Sequence, residues 1–373
     1  MTTTPGTVGD PADPAVRLQR AQTLLGLGRA AEARALCASA VAVDPGDTAA
    51  WRLLSQCCFD LNEPEEGLSA ADQALATDPH DAVALRLRAM GLLRLAERRG
   101  TGHDLAAQAA WAAMQADPEH WYGHALVSWA TLPRSGMLWP GDQAQTCYQA
   151  ALRARELAPH QAGAHFTAGR AADAMGRDAE AEACYRAALA IDPEHIAARN
   201  NLGRLLLKQG NVKDAAASFA AVAAGDHLLQ NDAGLGAHNL RAVALRLLSR
   251  ARWISVVVFI GSLMTISPTN PPTLAIRVGG ALLAVAAWAG WVLWSRRQLP
   301  PGLVGPLLRL GRASASLRVA LVGVAAGTLV GLALLCVPPL DPAVGFMTLL
   351  GVLLQFAALQ YARVLARRER HGA

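Results

Sequence analysis

Lysine is almost absent from this chain: Lys208 and Lys213 are the two lysines among 34 basic residues, so arginine carries nearly all the positive charge. With abundant alanine and glycine, this composition indicates a GC-rich bacterial genome. The six cysteines form no C-x-x-C pair, which argues against the common zinc and redox spacings. The neighbours Cys57 and Cys58 cannot easily form an ordinary disulfide, because their Cα atoms are too close together. A reducing compartment is therefore the expectation.

Catalytic and cofactor motifs are also missing. The sequence has no G-x-x-x-x-G-K loop, no H-E-x-x-H pair and no G-x-S-x-G elbow. We therefore expect no enzyme activity and no cofactor. Histidines at 80, 120, 160 and 195 recur after turn prolines, but helices pack about 8–10 Å apart and metal–nitrogen bonds are about 2 Å long. We therefore expect solvated turn residues there and no metal site.

Acidic residues nearly disappear from the last third of the chain, where Asp341 stands alone between Arg252 and Glu369. Four apolar stretches fill this part, at 253–266, 274–294, 319–337 and 344–365. The last three approach the length of about 20 residues that spans a bilayer, and the first is shorter. We predict a domain of four transmembrane helices over 253–365, the alternative being the buried core of a soluble domain. Paired carboxylates, which proton-coupled transporters usually carry, are missing from these stretches.

Arginines predict the orientation of these helices. They cluster before the first stretch, between the second and third, and at the end of the fourth, whereas 267–272 and 338–343 contain no basic residue. The positive-inside rule then places both termini in the cytoplasm, in a multi-pass protein of the inner membrane with a basic tail at 366–373. The charge is thus better suited to a membrane surface than to nucleic acid, for which no binding motif is present.

A stripe of glycines marks the third apolar stretch, at Gly323, Gly327 and Gly331. Their spacing of four places them on one helix face, where the backbone of another helix can approach closely. Whether that neighbour belongs to the same chain or to a second copy stays open.

Turn prolines recur through the first part of the chain at Pro45, Pro79, Pro118, Pro159 and Pro193, in steps of 34, 39, 41 and 34 residues. Small residues keep fixed distances from them. A fixed period of this size is typical of stacked helix pairs, because one pair cannot bury its own apolar face.

This pattern resembles the tetratricopeptide repeat family, and the W-x-x-L of that family stands here as Trp51 and Leu54. The resemblance covers about residues 14–227 and implies a solenoid of about six helix pairs, with insertions near 97–104 and 131–144. We expect a disordered leader at 1–13 and a capping or linker helix at 228–252. The tryptophan-rich second insertion is either a partner-specific site or a local core that repairs the stacking.

The resemblance further implies that the first helix of each pair lines a concave groove for extended peptides. The candidate groove residues form a basic surface with interleaved aromatics, suited to carboxylates because arginine can donate two parallel hydrogen bonds. They are Arg52, Gln56, Arg86, Arg94, Tyr122, Trp129, Phe166, Arg170, Asn200, Arg204 and Lys208. At the positions of the family's two-carboxylate clamp the first repeat has Leu18 and Gln22, a departure that argues against that ligand. The alternative is that these arginines are ordinary solvated surface.

We expect an all-α protein that holds one or more cytoplasmic proteins at the membrane through an extended, acidic segment bound in the groove. The alternative is an assembly or regulatory subunit of a transporter or secretion complex that acts through its transmembrane helices. The expected partners are therefore a cytoplasmic protein, the lipid bilayer and, through the glycine stripe, a membrane protein or a second copy.

Overall fold

The protein is described by a computed structural model over residues 14–132, 141–225, 235–264, 273–300, 303–336, 353 and 356–366. Within these residues the regular structure is helical, and the chain divides into two compact units, Met1–His195 and Ile196–Ala373. The helices of the first unit are α1 (Pro14–Gly26), α2 (Ala30–Val43), α3 (Thr48–Asp60), α4 (Pro64–Thr77), α5 (Ala82–Arg99), α6 (His103–Ala116), α7 (Trp121–Ala130), α8 (Gly141–Leu157), α9 (Ala162–Ala174) and α10 (Asp178–Ile191). Those of the second unit are α11 (Ile196–Gln209), α12 (Val212–Gly225), α13 (Leu235–Met264), α14 (Leu274–Gln298), α15 (Val304–Ala313) and α16 (Ala315–Cys336), and residues 356–366 are helical as well.

The recurring Asp-Pro turns end one helix and begin the next. Asp44 follows α2 with extended backbone, and its carboxylate accepts a hydrogen bond from the Gly46 amide at 2.9 Å. Asp78 does the same after α4, accepting from the His80 amide at 3.1 Å. Proline cannot continue the helix, and the aspartate replaces the lost backbone bonds with a local one. The prolines that set the sequence period therefore mark helix ends.

Glycine allows close packing between the two helices of a pair. A Cβ added at Gly169 of α9 would lie 2.7 Å from the ring of Tyr185 on α10. A Cβ at Gly203 of α11 would lie 2.6 Å from the ring of Phe219 on α12. Both rings are fully buried. A buried aromatic ring thus fills the space that the missing side chain leaves, and this contact sets the separation of the helices.

The first helices of three pairs attach to their turns by the same hydrogen bond. The Trp51 indole Nε1 donates to the Pro45 carbonyl at 2.8 Å. The Nε2 atoms of His124 and His165 bond to the carbonyls of the turn prolines six residues earlier, also at 2.8 Å. Since a carbonyl only accepts, each histidine donates from Nε2. Histidine thus reproduces the bond of the family tryptophan, which explains how the pattern persists without it.

The two insertions differ. At the first, α5 extends to Arg99 and ends on Gly100 in the left-handed conformation, so the extra residues lengthen a helix. The central residues of the second insertion, 133–140, lie outside the described residues. Of the tryptophans around it, Trp129 packs against the buried cluster that contains Leu126 and Val127, as a local core requires. Trp139 lies outside the described residues.

The second unit combines the sixth helix pair with the apolar helices. α12 packs against both α11 and α13, so the unit boundary falls at 195/196, earlier than the end of the predicted solenoid at 227. α13 is one continuous helix from Leu235 to Met264, across the predicted boundary between the linker helix and the first apolar stretch at 252/253. The predicted leader at 1–13 and tail at 366–373 lie outside the described residues, apart from the helical residue 366.

One helix in the described part of the chain is long and apolar enough to cross a membrane, over Val278–Gln298, and a shorter apolar helix covers Ala315–Ala326. The first predicted span corresponds to the end of α13, which is not among the helices that meet this measure in the described residues. Half of the fourth, at 344–365, lies outside the described residues. Of the four predicted transmembrane helices, the second is therefore the one that the described residues support.

α16 carries the glycine stripe. Gly323 is buried, and the surroundings of Gly327 and Gly331 lie outside what the structure describes. The neighbouring Ala320 and Val324 pack with Ala251 of α13 in one buried cluster.

Candidate functional site

First helices lie side by side in the first unit: α1 contacts α3, α3 contacts α5, α5 contacts α7, and α7 contacts α9. The candidate groove residues of this unit all belong to these first helices, and we call the side of the first helices on which the groove is expected the groove surface. The individual contacts of these residues decide what each can offer a ligand.

A cavity of about 500 Å³ lies at the start of this surface, between α1, α3 and α5. Arg52 and Gln56 line it together with Leu18 and Gln22. The last two occupy the clamp positions of the family, so the walls contributed by α1 are apolar or neutral. This cavity fits a mixed polar and apolar segment better than a pair of carboxylates.

Two of the candidate arginines are already paired with aspartates of the following turn. The Arg52 guanidinium lies 3.1 Å from the carboxylate of Asp81, whose side chain is 7% exposed and also caps α5. The Arg86 guanidinium lies 2.9 Å from the carboxylate of Asp117 and is itself 12% exposed. Because each pair joins successive repeats and takes up the charge of its arginine, these residues serve the stacking of the solenoid.

Arg94 likewise serves the framework. Its Nη1 donates to the Phe59 carbonyl at 2.6 Å, and its guanidinium lies 5.3 Å from the centre of the Phe59 ring. This contact joins α5 to the C-terminal end of α3.

Aromatic rings dominate the middle of the surface. Tyr122 lies edge-on to Trp121 and Trp129, at centroid distances of 5.2 and 5.7 Å. The Tyr122 hydroxyl donates to the Met90 sulfur at 3.2 Å, and burial raises the pKa of the phenol. The Nε1–H of Trp129 is buried with no acceptor within the described part of the chain. Tyr122 is thus fixed in place, whereas Trp129 retains an unused donor.

Phe166 and Arg170 form the last part of this surface, on α9. The Arg170 guanidinium lies 5.8 Å from the centre of the Phe166 ring, which also contacts His195 at 5.0 Å. Both Phe166 and Arg170 are half-buried. Since no aspartate or glutamate lies within ion-pair distance of Arg170 among the described residues, this is the candidate arginine of the first unit best placed to receive a ligand carboxylate.

Asn200, Arg204 and Lys208 lie together in the second unit. They line a cavity of about 540 Å³ whose other wall comes from α13, and we call this the basic cavity. The side chains of its wall that carry nitrogen are Asn200, Arg204, Lys208, His238, Asn239, Arg246 and Arg363. Asn239 of α13 donates a hydrogen bond to the side-chain oxygen of Asn200, and both are buried. Asn200 is therefore engaged by its own chain.

Sequence reasoning missed the residues that complete these arrangements. Asp81 and Asp117 stand beside the turn prolines Pro79 and Pro118, but sequence spacing does not say which arginine each of them pairs with. The contributions of Arg246 and Arg363 to the basic cavity lay in the arginine clusters beside the apolar stretches. By itself, that signal indicates only the orientation of the helices.

The turn histidines have local roles. His120 caps α7 by accepting from the Tyr122 amide at 3.2 Å, and burial lowers its pKa. No group of three His, Cys, Asp or Glu side chains suited to a metal occurs within the residues the structure describes. Five cysteines are buried free thiols, and burial raises the pKa of Cys58 to about 11.

Solved structures with a similar fold include a thermophilic TPR protein of Thermus thermophilus, 19% identical, which covers 52% of this chain and 100% of its own with a TM-score of 0.45. PilF of Pseudomonas aeruginosa is 16% identical and covers 59% of this chain and 93% of its own, with a TM-score of 0.43. The Cut9–Hcn1 hetero-tetramer of the APC/C has a TM-score of 0.52 at 14% identity, over 61% of this chain and 42% of that one. The last of these shows that the two share a fold.

Comparison with curated proteins found no relative that matches the chain. Family profiles described as tetratricopeptide repeat match residues 9–57 and 24–91, and others with the same description match 141–196 and 166–228. These matches fall on the helix pairs whose turns and glycine contacts are regular. Residues 9–91 and 141–228 therefore carry tetratricopeptide repeats, which confirms the resemblance over this part of the chain.

Proposed function

We propose that this protein is a membrane-anchored scaffold, which holds a cytoplasmic protein at the inner surface by binding an extended segment of it along the first helices. The observation that carries the proposal is the row of first helices in contact with one another, with half-buried aromatic rings and Arg170 on them. Tetratricopeptide repeats serve protein–protein interaction, and the matched profiles support that part. The proposal gives the protein no catalytic role and no nucleic-acid partner.

The site proposed within the groove is narrower than the full set of candidates. The guanidinium groups of Arg52, Arg86 and Arg94 already bond to groups of the solenoid itself. They therefore stabilise the shape of the surface and are less available to a bound peptide. Arg170 would receive an acidic side chain, while the exposed side chain of Gln56 would donate to a backbone carbonyl of the segment. Aromatic rings beside it add apolar contact area at a small entropic cost, because they have few rotatable bonds.

Exposed apolar side chains on the helices of the second unit support the anchoring. On α14, Leu282, Leu283 and Val285 are 64%, 74% and 64% exposed. On α16, Val322 and Leu329 are 67% and 66% exposed. Surfaces of this kind are costly in water, and acyl chains of a bilayer would cover them without a protein partner. We propose the four-span arrangement with cytoplasmic termini on this basis and on the arginine distribution.

The assembly-subunit alternative depends on a free glycine face. Gly323 is buried, and Ala320 and Val324 beside it pack against α13 within the chain. This favours an internal use of the stripe and therefore the scaffold.

Co-purification of the full-length protein in mild detergent from native membranes tests the proposal. Arg170→Glu should remove a bound protein that wild type retains. Arg186→Glu is the matched control, because Arg186 lies on the second helix of the same pair, is 61% exposed and pairs with Glu182. If both variants keep every partner, the groove part of the proposal is wrong. Partners lost instead when Gly323 is changed to leucine, with the helix content of the protein unchanged by circular dichroism, would favour the assembly subunit.

A further inference from the structure

The basic cavity of the second unit is a place where positive charge converges from separate parts of the chain. Arg204 and Lys208 come from α11, Arg246 from α13, and Arg363 from the helical residues 356–366. Arg204, Arg246 and Arg363 are exposed, so their charged ends are accessible to solvent and to a ligand. Among the described residues, those that line this wall include no carboxylate.

Basic residues outnumber acidic residues in this part of the chain. Residues 196–373 contain 18 arginines and lysines against five aspartates and glutamates, whereas residues 1–195 contain 16 against 24. Among the described residues of the second unit, Asp214 is the one acidic residue. Its carboxylate accepts a hydrogen bond from Asn211 at 2.7 Å. Like charges gathered around one cavity repel each other, and a bound anion removes that cost.

The chemistry of the wall favours a phosphate over other anions. Guanidinium groups bind phosphate oxygens through parallel hydrogen bonds, and three arginines approach this cavity from three segments. The buried pair of Asn200 and Asn239 adds amide groups to the same wall. A volume of about 540 Å³ is large enough for a phosphorylated headgroup.

The position of the cavity along the apolar helices suggests the source of the phosphate. Arg246 precedes the apolar part of α13, which begins at Trp253, by seven residues, a helical rise of about 10 Å. Arg363 lies at the end of the fourth apolar stretch. If α13 enters the bilayer as the proposed function requires, these two arginines lie at the depth of the lipid headgroups.

We propose that the basic cavity binds a phosphate group, carried by the headgroup of an anionic membrane lipid or by a small soluble phosphate compound. Only the lipid source rests on the proposed function. The cavity accounts for residues that the peptide groove does not use, namely Arg246 and Arg363.

Binding to the purified full-length protein in neutral detergent tests this. The probes are inorganic phosphate, the soluble lipid dihexanoylphosphatidylglycerol and the peptide hexaglutamate, each followed by isothermal titration calorimetry. The cavity variant is Arg246→Gln with Arg363→Gln. The control with the same charge change is Lys213→Gln with Arg318→Gln, two exposed residues that do not line the cavity. Lys208→Gln is a second cavity variant on another helix.

The expected result is binding of a phosphate probe that falls at least about tenfold in the cavity variant and several-fold in Lys208→Gln, with no change in the control. Tighter binding of the lipid than of inorganic phosphate identifies the headgroup as the source, and equal binding identifies a soluble phosphate. Equal affinities of wild type and cavity variants would overturn the proposal. Selective loss of hexaglutamate binding alone would also overturn it and assign the cavity to the peptide groove.

Two features keep these outcomes interpretable. The substituted arginines are exposed, so circular dichroism should show unchanged helix content in every variant. Phosphate should also raise the unfolding temperature of wild type more than that of the cavity variant. The test uses no partner protein and leaves Arg170 intact. Failure of the phosphate proposal therefore appears in the binding measurements, whereas failure of the scaffold proposal appears in the co-purification of partners.

Discussion

Gly169→Ala should destabilise the first unit although alanine is the better helix former. The added Cβ would lie 2.7 Å from two atoms of the Tyr185 ring and 3.3 Å from the Cys184 Cβ. Ordinary contact begins at 3.4 Å, so the ring must move by about 0.7 Å. It has little room, since Tyr185 is 1% exposed and lies 6.2 Å from the Phe166 ring.

Two effects of opposite sign set the magnitude. Overpacking a buried contact costs roughly 1–3 kcal/mol, and replacing glycine by alanine inside a helix gains about 1 kcal/mol. Because the ring is enclosed, we expect the upper half of the first range and a net loss of about 1–2 kcal/mol. For a unit of this size that lowers the unfolding temperature by roughly 2–8 °C.

Thermal unfolding of the full-length protein, followed by circular dichroism, measures this loss. Gly26→Ala is the control, because a Cβ at the end of α1 meets nothing within 4 Å. In a Tyr185→Leu background the same change at Gly169 should cost less, and a double-mutant cycle should show a favourable coupling. If Gly169→Ala unfolds at or above the wild-type temperature, the ring does not set the helix separation and the argument fails.

Three further outcomes are expected. Arg86→Ala should cost about 1–3 kcal/mol in denaturant unfolding, because it leaves Asp117 without its partner, whereas Arg88→Ala, at an exposed pair, should cost at most about 1 kcal/mol. His165→Ala should lose about 1 kcal/mol with its hydrogen bond, and His165→Trp should retain the wild-type stability. The folded Cys58 thiol keeps its proton up to a pKa of about 11, above its ordinary value of 9.0. Stability should therefore fall as the pH rises from 9.0 toward 11, and Cys58→Ala should weaken that fall in pH-dependent unfolding.

The sequence by itself determined the repeat architecture of the first part of the chain. Proline cannot continue a helix, so the spacing of Pro45, Pro79 and Pro193 fixes where pairs end. The small residues at constant offsets from these prolines fix which helix faces meet. Local rules of this kind depend on a few neighbouring residues, and sequence displays them directly.

Sequence spacing could not decide which candidate groove residues are available to a ligand. Arg52 and Arg86 match a basic groove by position, but the fold brings an aspartate from the following turn within ion-pair distance of each. Arg170 also matches the groove by position, but no carboxylate of the described residues lies within ion-pair distance of it. The partner of a long side chain is set by how two repeats stack, and that information is not local.

The basic cavity shows the same division most clearly. The arginines beside the apolar stretches were evident from composition, and so was their preference for the cytoplasmic side. That Arg246 and Arg363 lie around one cavity with Arg204 and Lys208 was decided by the packing of α13 against α12 and by the return of the last helical residues. The sequence shows which residues are charged. Charges more than 150 residues apart come together only in the folded chain.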